Sequence, residues 1–395
     1  MRIAILSDTY TPFVNGVVTH IKVLREGLLN AGHEVLIVTV DPAVSYHVLA
    51  DGVLRCPAKQ IKRLYGYGVI NFFNKISMRY ISDFNPDVIH IQQEFSSGLL
   101  GIRAAKKLDV PLIHTLHTMY DEYLFYVAPK LFFPLVRTFA YRYMRYISKR
   151  TSALVSCSNK AIDFYQKCKV TKPVTIVPNS VELDAFDPQR FPADSSIEIR
   201  KKYAIPPDAL VGIFVGRLGQ EKSVDLLIDY WSEHFVGQKS IRLLIVGEGP
   251  DKEKLMEHAR IKGVEHLITF TGRVEHEEVM PIYLASNFYI SASLSEMMSI
   301  SMLEGMAAGL LVIQRYDPVN AHQIQEGING FNYNNSQEMA DYVLKMASLP
   351  PENRVKIREK VRESVKSAGS QQSAAAMLDI YNQALSEYNP KKSRS

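Results

Sequence analysis

Several features that commonly reveal where a protein works are scarce or missing in this sequence. Its three cysteines, Cys56, Cys157 and Cys168, do not have the spacing of metal ligands, which favours a reducing compartment. No signal peptide precedes the first predicted strand at residues 2–6, and no apolar run approaches the length of a membrane span. We therefore expect a cytoplasmic protein that meets a membrane only peripherally, on its inner face.

The composition is that of a soluble globular protein. Hydrophobic residues make up 47% of the 395 positions and charged residues 22%. This length exceeds one ordinary hydrophobic core, so the chain should form about two or three domains. The formal net charge is only +5, so the placement of the charges matters more than their sum.

Short β-branched runs alternate with amphipathic helical segments over residues 1–180. Continuous apolar strands separated by helices indicate a parallel sheet covered on both faces. The alternation breaks at 181–207, a predicted interdomain linker rich in turn-forming residues, and restarts over 208–369. The predicted class is α/β, with two doubly wound Rossmann-like domains and a helix at about 370–390 that packs back on the first.

Ligands of doubly wound sheets bind beyond the carboxyl ends of the strands. After the first strand, a loop that contains Tyr10 reaches Gly16, where the missing side chain lets a ligand approach a helix start. The loop lacks the G-x-G-x-x-G pattern, so a dinucleotide cofactor is not expected.

A later strand end carries His114, His117, Tyr120 and Asp121. Two histidines three positions apart are compatible with metal ligands, with structural histidines, or with an imidazole that contacts a sugar hydroxyl. No third ligand stands at a recognisable spacing, so no metal site is predicted. We interpret His117 as the sugar-contacting group, and Tyr10, Tyr120 and Asp121 as residues of the acceptor side.

The segment 130–150 is basic and aromatic and contains no acidic residue. The basic residues assigned to a membrane surface are Lys130, Arg137, Arg142, Arg145 and Lys149. At helical spacing the last four fall within one broad face, interleaved with aromatic residues, which is typical of a helix on an anionic membrane. The alternatives are a solvated helix whose aromatic residues pack on the domain, or a nucleic-acid groove.

Three consecutive strand ends of the second half offer groups for a nucleotide. Gly216, Arg217 and Lys222 place a flexible turn, a guanidinium and an ammonium where they can bind a diphosphate as exposed cations. The next two strand ends supply Gly247, then Arg273 and Val274, whose backbone can face a base.

The fourth strand end carries two glutamates separated by seven residues, Glu296 in a turn and Glu304 inside a helix. Between them, free backbone N–H groups at 299–301 and the positive helix end suit a phosphate. Glu304 can then accept hydrogen bonds from a ribose, and Glu296 from a sugar beyond the phosphates. The alternative is two unrelated surface glutamates.

These motifs, together with Ala307-Ala-Gly309 and Gly327-Ile-Asn-Gly330, resemble a GT-B retaining glycosyltransferase of family four over nearly the whole chain. The resemblance implies two domains facing a central cleft, a UDP-sugar substrate, and neither cofactor nor metal ion. It assigns catalytic contacts to His117, Arg217, Lys222 and Glu296. The residues expected to bind the donor are Gly16, Gly216, Arg217, Lys222, Gly247, Arg273, Val274, Glu296, Ser299, Ile300, Ser301 and Glu304.

Within the family, the loops 7–17 and 114–123 are similar to those of bacterial diacylglycerol glucosyltransferases. The expected partners are therefore a nucleotide-sugar, an anionic membrane and a lipid acceptor, without nucleic acid, and the oligomeric state is left open. Met297-Met298 and Leu311 depart from the family pattern and put the sugar preference in question. A soluble or protein-linked acceptor, or a non-catalytic partner subunit, are the alternative functions.

Overall fold

The computed structural model describes residues 1–13, 15–60, 68–71, 73–119 and 130–389. The chain divides into two compact units, of which the first comprises residues 1–180 and the segment from 370 onward. The second unit comprises 181–369. The second unit is therefore an insertion between the body of the first unit and its last segment.

The first unit contains an eight-stranded sheet in the order β10-β9-β8-β7-β1-β2-β4-β3. Its strands are β1 (Arg2–Ser7), β2 (Glu34–Asp41), β3 (Val48–Ala50), β4 (Val53–Pro57), β7 (Val88–Ile91), β8 (Leu112–Leu116), β9 (Ala153–Ser156) and β10 (Val174–Ile176), while β5 (Lys59–Gln60) and β6 (Gly68–Val69) form a separate pair. Among the described residues, the helices that precede the inserted unit are α1 (Gly16–Asn30), α2 (Lys75–Phe84), α3 (Ser96–Leu108), α4 (Phe133–Ser148) and α5 (Lys160–Lys167). The strand order reverses between β1 and β7, so their carboxyl ends flank the ligand crevice typical of such sheets.

The second unit contains a six-stranded parallel sheet in the order β13-β12-β11-β14-β15-β16. Its strands are β11 (Leu210–Val215), β12 (Ile241–Val246), β13 (Ile268–Gly272), β14 (Phe288–Ser291), β15 (Leu311–Arg315) and β16 (Gly330–Tyr333). Its helices are α6 (Ser195–Lys202), α7 (Val224–Phe235), α8 (Lys252–Ile261), α9 (Val279–Ala285), α10 (Ile300–Ala307), α11 (Ser336–Ala347) and α12 (Pro351–Ser364). The strand order of this sheet reverses between β11 and β14. The segments that follow these two strands carry the diphosphate motif and the two glutamates.

The prediction of two doubly wound α/β domains is confirmed. The first unit adds short strands that the sequence pattern did not indicate, because β3 to β6 are only two to five residues long. One of them, β3, pairs antiparallel with β4 at the edge of the sheet. In the described part of the chain, none of the helices is both long and apolar enough to cross a membrane.

The segment 181–207 differs from the predicted linker because it is folded into the second unit. Val181 and Phe186 are buried in the hydrophobic core of that unit, and α6 packs against α9. Its turn-forming residues build short 3₁₀ turns at Leu183–Phe186 and Pro188–Arg190. Short 3₁₀ turns bury side chains without the sustained periodicity that sequence analysis detects.

The last helix, α13 (Ser370–Glu387), belongs to the first unit and packs on α1. Gly27 of α1 permits this close approach, since a Cβ atom there would lie only 2.8 Å from the Cβ of Ala374. Met377 and Tyr381 are buried in the core that surrounds β1 and β2. The hydrophobic core of the first unit is therefore completed by the last helix of the chain.

Candidate active site

Three glycine-containing strand ends of the second unit are joined through their backbones. The N–H of Gly216, after β11, donates to the carbonyl of Val246, and the N–H of Gly247 donates to that of Gly272, both at 3.0 Å. Gly247 has a φ of +139°, and a Cβ atom there would overlap the carbonyl oxygen of Gly216. Glycine is needed at 247 because only a residue without a side chain fits this conformation and contact.

Lys222 and Glu296 form an ion pair, with Nζ and Oε1 2.5 Å apart. Lys222 ends a 3₁₀ turn after β11, and Glu296 lies in the loop after β14. Ser295 joins the two loops, because its hydroxyl donates to the carbonyl of Glu221 at 2.6 Å. The two side chains are 18% and 22% exposed, so the pair lies at the rim of the unit, accessible yet partly shielded from water.

Helix α10 begins directly after this loop, as predicted from the sequence. Ser299 is its N-cap, and the side chain accepts a hydrogen bond from the N–H of Met302 at 3.3 Å. The N–H groups of Ile300 and Ser301 belong to the first turn, where a helix offers no acceptor of its own. The hydroxyl of Ser301 donates to the carbonyl of Val215 at 2.8 Å, so this side chain ties the helix to the end of β11.

Glu304 is nearly fully buried on α10, with two partners that sequence reasoning missed. Its Oε1 lies 2.9 Å from Nε2 of His276, and its Oε2 accepts a hydrogen bond from the hydroxyl of Tyr283 at 3.1 Å. Burial and the nearby Glu304 raise the pKa of Tyr283, so the phenol remains a donor. The carboxylate is thus held in one orientation.

The remaining predicted donor residues of the second unit differ in exposure. Arg217 is half-buried instead of exposed, because its Nη2 atom is enclosed by the protein, and Lys222 is half-buried because it pairs with Glu296. Arg273 is exposed and forms an ion pair with Glu275 at 3.0 Å, and Val274 is half-buried in the loop after β13. Arg217 and Lys222 follow the carboxyl end of β11, and Arg273 and Val274 follow that of β13, with β12 between the two strands.

In the first unit, the structure separates the two histidines predicted at one strand end. His114 is fully buried within β8 and lies 2.9 Å from Oε1 of Glu94, which is the arrangement of a structural histidine. His117 follows the end of β8 and is half-buried. Its Nε2 lies 2.6 Å from Oε1 of Gln92.

Other predicted residues of this unit occupy different environments. Gly16 begins α1, with Asn15 as its N-cap. Tyr10 packs in the hydrophobic core and is only 5% exposed, so we correct its assignment to the acceptor side. Tyr120 and Asp121 lie outside the described residues.

The basic helix α4 packs on its domain through one face and exposes another. Arg145 donates from Nε to the carbonyl of Cys168 at 2.9 Å, and Tyr143 donates to the carbonyl of Glu94. Arg145 therefore stabilises the domain, which corrects its assignment to the membrane surface. Lys130 precedes the helix in a 3₁₀ turn, and its side chain is not described.

The exposed face of α4 carries both apolar and basic side chains, which we call the outward stripe. It consists of Leu135, Phe139, Arg142 and Tyr146, and of Lys149, which directly follows the helix as its C-cap. Helical spacing brings these positions to one side of the helix. Leu135 and Phe139 are each 70% exposed, and Arg137 is exposed near the same end of the helix.

The strand-end rule that found the predicted residues also points to several that were overlooked. Gln92 directly follows β7, and His276 lies in the loop after β13. Asn320 follows β15 and donates to the backbone carbonyl of Glu296 at 2.7 Å. No comparable local signal marks Tyr283, because it lies inside α9 and reaches Glu304 only through the fold.

Both units match known sequence families. Residues 14–185 match the family described as Glycosyltransferase Family 4, and residues 195–364 match the one described as Glycosyl transferases group 1. Alpha-monoglucosyldiacylglycerol synthase of Acholeplasma laidlawii is 31% identical over 89% of this chain and 89% of that protein. The protein of the same name from Streptococcus pneumoniae is 28% identical over 92% of this chain and 82% of that protein.

A solved structure agrees in fold. Anabaena Alr3699/HepE in complex with UDP and glucose superposes with a TM-score of 0.74 at 14% identity, covering 97% of this chain and 100% of that one. The sequence matches extend across both Rossmann-like units. The chain therefore belongs to the family-four glycosyltransferases, which have the GT-B fold.

Proposed function

We propose that the protein transfers glucose from UDP-glucose, with retention, to the hydroxyl group of diacylglycerol at a membrane surface. The observation that supports this most directly is the arrangement around α10. The Lys222–Glu296 pair lies before the helix start, and Glu304 lies fixed within the helix. The names of the relatives from Acholeplasma laidlawii and Streptococcus pneumoniae support the choice of sugar and acceptor.

In this proposal the second unit binds the donor. Lys222 and Arg217 neutralise the diphosphate, the N–H groups of Ile300 and Ser301 bind one of its oxygens, and Glu304 accepts hydrogen bonds from the ribose. Glu296 binds the sugar. Because Lys222 and Glu296 are paired in the free protein, donor binding has to rearrange or share this contact.

The proposed reaction needs no covalent enzyme intermediate. The bond between the sugar C1 and the diphosphate oxygen breaks, and the acceptor oxygen bonds to C1 on the same face. The proton of the acceptor hydroxyl passes to the departing phosphate oxygen. Stabilisation of that oxygen by fixed positive groups lowers the barrier, and we propose that no metal ion takes part.

The acceptor side is proposed to meet an anionic lipid surface through the outward stripe. Its exposed leucine and phenylalanine can enter the boundary between headgroups and acyl chains, while Arg142 and Lys149 remain near lipid phosphates. The negative surface potential of the cytoplasmic leaflet attracts such basic groups. The enzyme would then act as a peripheral protein of the inner membrane face.

A transfer assay tests the function. Purified protein is mixed with UDP-glucose and vesicles of phosphatidylglycerol and diacylglycerol, and released UDP and lipid product are measured with and without EDTA. We expect a glucosyl lipid whose anomeric proton has the coupling of an α-linkage, formed at the same rate with EDTA. Transfer only from GDP-mannose, or only to soluble acceptors, would overturn the donor or the acceptor assignment. Absence of all transfer with UDP still bound would favour a non-catalytic subunit.

The outward stripe and the neighbouring Arg137 give a prediction about vesicle binding. Changing Arg137, Arg142 and Lys149 to Glu should weaken binding to phosphatidylglycerol vesicles more than about a hundredfold, because each basic residue contributes about 1 kcal/mol. UDP affinity, measured by calorimetry, should remain unchanged. Changing Leu135 and Phe139 to Ser should instead remove the part of the binding that persists at high salt.

Two variants separate this effect from a general loss of charge or fold. Changing Lys356 and Lys360, exposed lysines of α12, to Glu reverses charge in the second unit and should leave vesicle binding intact. Arg145→Glu should lower the melting temperature, because it removes the contact with the Cys168 carbonyl. Wild-type sedimentation by the triple variant would show that α4 does not bind the membrane.

A further inference from the structure

Four histidines of the first unit lie together near the reversal point of its sheet. His90 and His114 are fully buried in β7 and β8, His20 is buried in α1, and His117 follows β8. The rings of His20 and His117 meet edge to face, with centroids 4.7 Å apart. His20, His90 and His114 are buried and have hydrogen-bond partners within the unit, whereas His117 is half-buried.

Gln92 connects two members of this cluster. Its Oε1 lies 2.6 Å from Nε2 of His117. Its Nε2 lies 3.4 Å and 3.3 Å from the two ring nitrogens of His90. A position in the ring plane at equal distance from both nitrogens would overlap the carbon between them, so the amide lies over the face of the His90 ring.

The edge of the His90 ring is already occupied on both sides. Its Nδ1 lies 2.7 Å from the hydroxyl of Tyr381, and its Nε2 lies 2.7 Å from the hydroxyl of Thr115. The face of an aromatic ring is negative and attracts N–H groups. The amide nitrogen of Gln92 therefore faces His90, and the carbonyl oxygen faces His117.

This orientation determines which nitrogen of His117 carries a proton. A carbonyl oxygen can only accept, so Nε2 of His117 must be the donor. Burial, together with His20, His90 and His114, holds the pKa of His117 well below its usual range, and the ring is neutral. A neutral imidazole has one donor and one acceptor, so Nδ1 is left as an acceptor.

We propose that Gln92 is a positioning residue that holds His117 as the Nε2–H tautomer, so that Nδ1 accepts a hydrogen bond from a substrate hydroxyl. The inference rests on the proposed function and on the sequence-based interpretation of His117 as the group that contacts a sugar hydroxyl. An acceptor nitrogen binds a hydroxyl that donates and disfavours a substrate that lacks it. Gln92 would thus contribute to sugar selection without touching the sugar.

The tautomer can be measured directly in the ligand-free protein. Long-range nitrogen–proton NMR spectra distinguish Nε2–H from Nδ1–H, and the His117 signal is identified by its loss in His117→Ala. We expect the Nε2–H form in the wild type and in Gln92→Glu, which keeps an acceptor oxygen. In Gln92→Met, which has similar volume and no acceptor, a substantial Nδ1–H population should appear.

A neighbouring glutamine provides the matched control. Gln93 accepts from the Ser7 hydroxyl and the Thr9 N–H, each at 2.9 Å, and within the described residues it makes no hydrogen bond to His117. Gln93→Met should therefore leave the His117 tautomer unchanged. Unshifted signals of His114, whose ring nitrogens contact Glu94 and Tyr165, verify that each variant retains the fold.

Transfer kinetics give the second readout. Gln92→Met should lower kcat/KM about tenfold, the effect of one hydrogen bond to a correctly oriented group. In Gln92→Glu the new carboxylate should raise the pKa of His117. The other titratable groups around this ring are the three other histidines, with Glu94 nearby. The activity of this variant should therefore approach that of the wild type at high pH and fall as the pH is lowered toward 6.

The outcomes separate this inference from the proposed function. The positioning role would be overturned, whatever the activity, if His117 of the wild type were the Nδ1–H tautomer. It would also be overturned if His117 stayed entirely Nε2–H in Gln92→Met. The expected tautomers in a protein that transfers no sugar would overturn the proposed function and leave Gln92 as the residue that orients His117. A normal kcat/KM in Gln92→Met despite a shifted tautomer would remove the role in sugar selection.

Discussion

A Lys222→Ala variant is expected to transfer sugar at least about a hundredfold more slowly than the wild type, the usual effect of losing one group that stabilises developing negative charge. Lys222 lies 2.5 Å from Glu296 at the carboxyl end of the parallel sheet, where a leaving diphosphate would need a cation. Arg217→Ala should behave similarly. Since neither residue belongs to the hydrophobic core, the melting temperature should change little.

Lys262 provides a matched control for this experiment. It forms a 2.7 Å ion pair with Asp229 at the surface of the same unit, away from the proposed donor residues. Lys262→Ala should retain wild-type turnover. If Lys222→Ala also retains it, the diphosphate assignment is wrong.

A double-mutant cycle can show whether Lys222 and Glu296 act as one unit. Each single alanine variant leaves the partner's charge uncompensated, so the two losses overlap. We therefore expect Lys222→Ala/Glu296→Ala to be little worse than the more damaged single variant. Losses that multiply would mean that the two residues act on the donor independently.

Replacing Glu304 by alanine is expected to weaken UDP binding about ten- to hundredfold, as for the loss of a hydrogen bond to a charged group. His276 and Tyr283 hold the two carboxylate oxygens, and each oxygen has a further lone pair for a ribose hydroxyl. Calorimetric titration with UDP measures the change. Unaltered affinity would contradict the ribose assignment.

Tyr283→Phe tests whether the orientation of Glu304 matters as well as its charge. The variant removes one hydrogen bond to the carboxylate and keeps both the ring and the charge. We expect a smaller loss of UDP affinity than in Glu304→Ala. An equal loss would indicate that the carboxylate binds only when this hydrogen bond fixes it.

The sequence predicted the fold class and the identity of several polar strand ends, because both follow from local patterns. Apolar runs identify parallel strands, and the rule that ligands bind beyond their carboxyl ends drew attention to Lys222, Glu296 and Glu304. It did not predict that Lys222 and Glu296 would pair. Their loops come from non-consecutive strands that become neighbours only once the order β11-β14 is known.

Orientation about a helix axis was the weaker part of the prediction. Periodicity places Arg142 and Arg145 of α4 on one broad face, and only packing shows that Arg145 binds the Cys168 carbonyl while Arg142 is exposed. Tyr10 illustrates the same limit for a loop. An aromatic side chain near a strand end can serve either a ligand or the core, and here it packs in the core.

The return of α13 to the first unit has a consequence for synthesis on the ribosome. Translation finishes the whole inserted unit, 181–369, before it produces the helix that completes the hydrophobic core of the first unit. Until then the nascent first unit lacks Met377 and Tyr381 from its core, and His90 lacks the phenol that contacts it. Premature termination shortly before residue 370 would therefore release a polypeptide in which the second unit can fold. Its first unit would still expose apolar surface to chaperones and proteases.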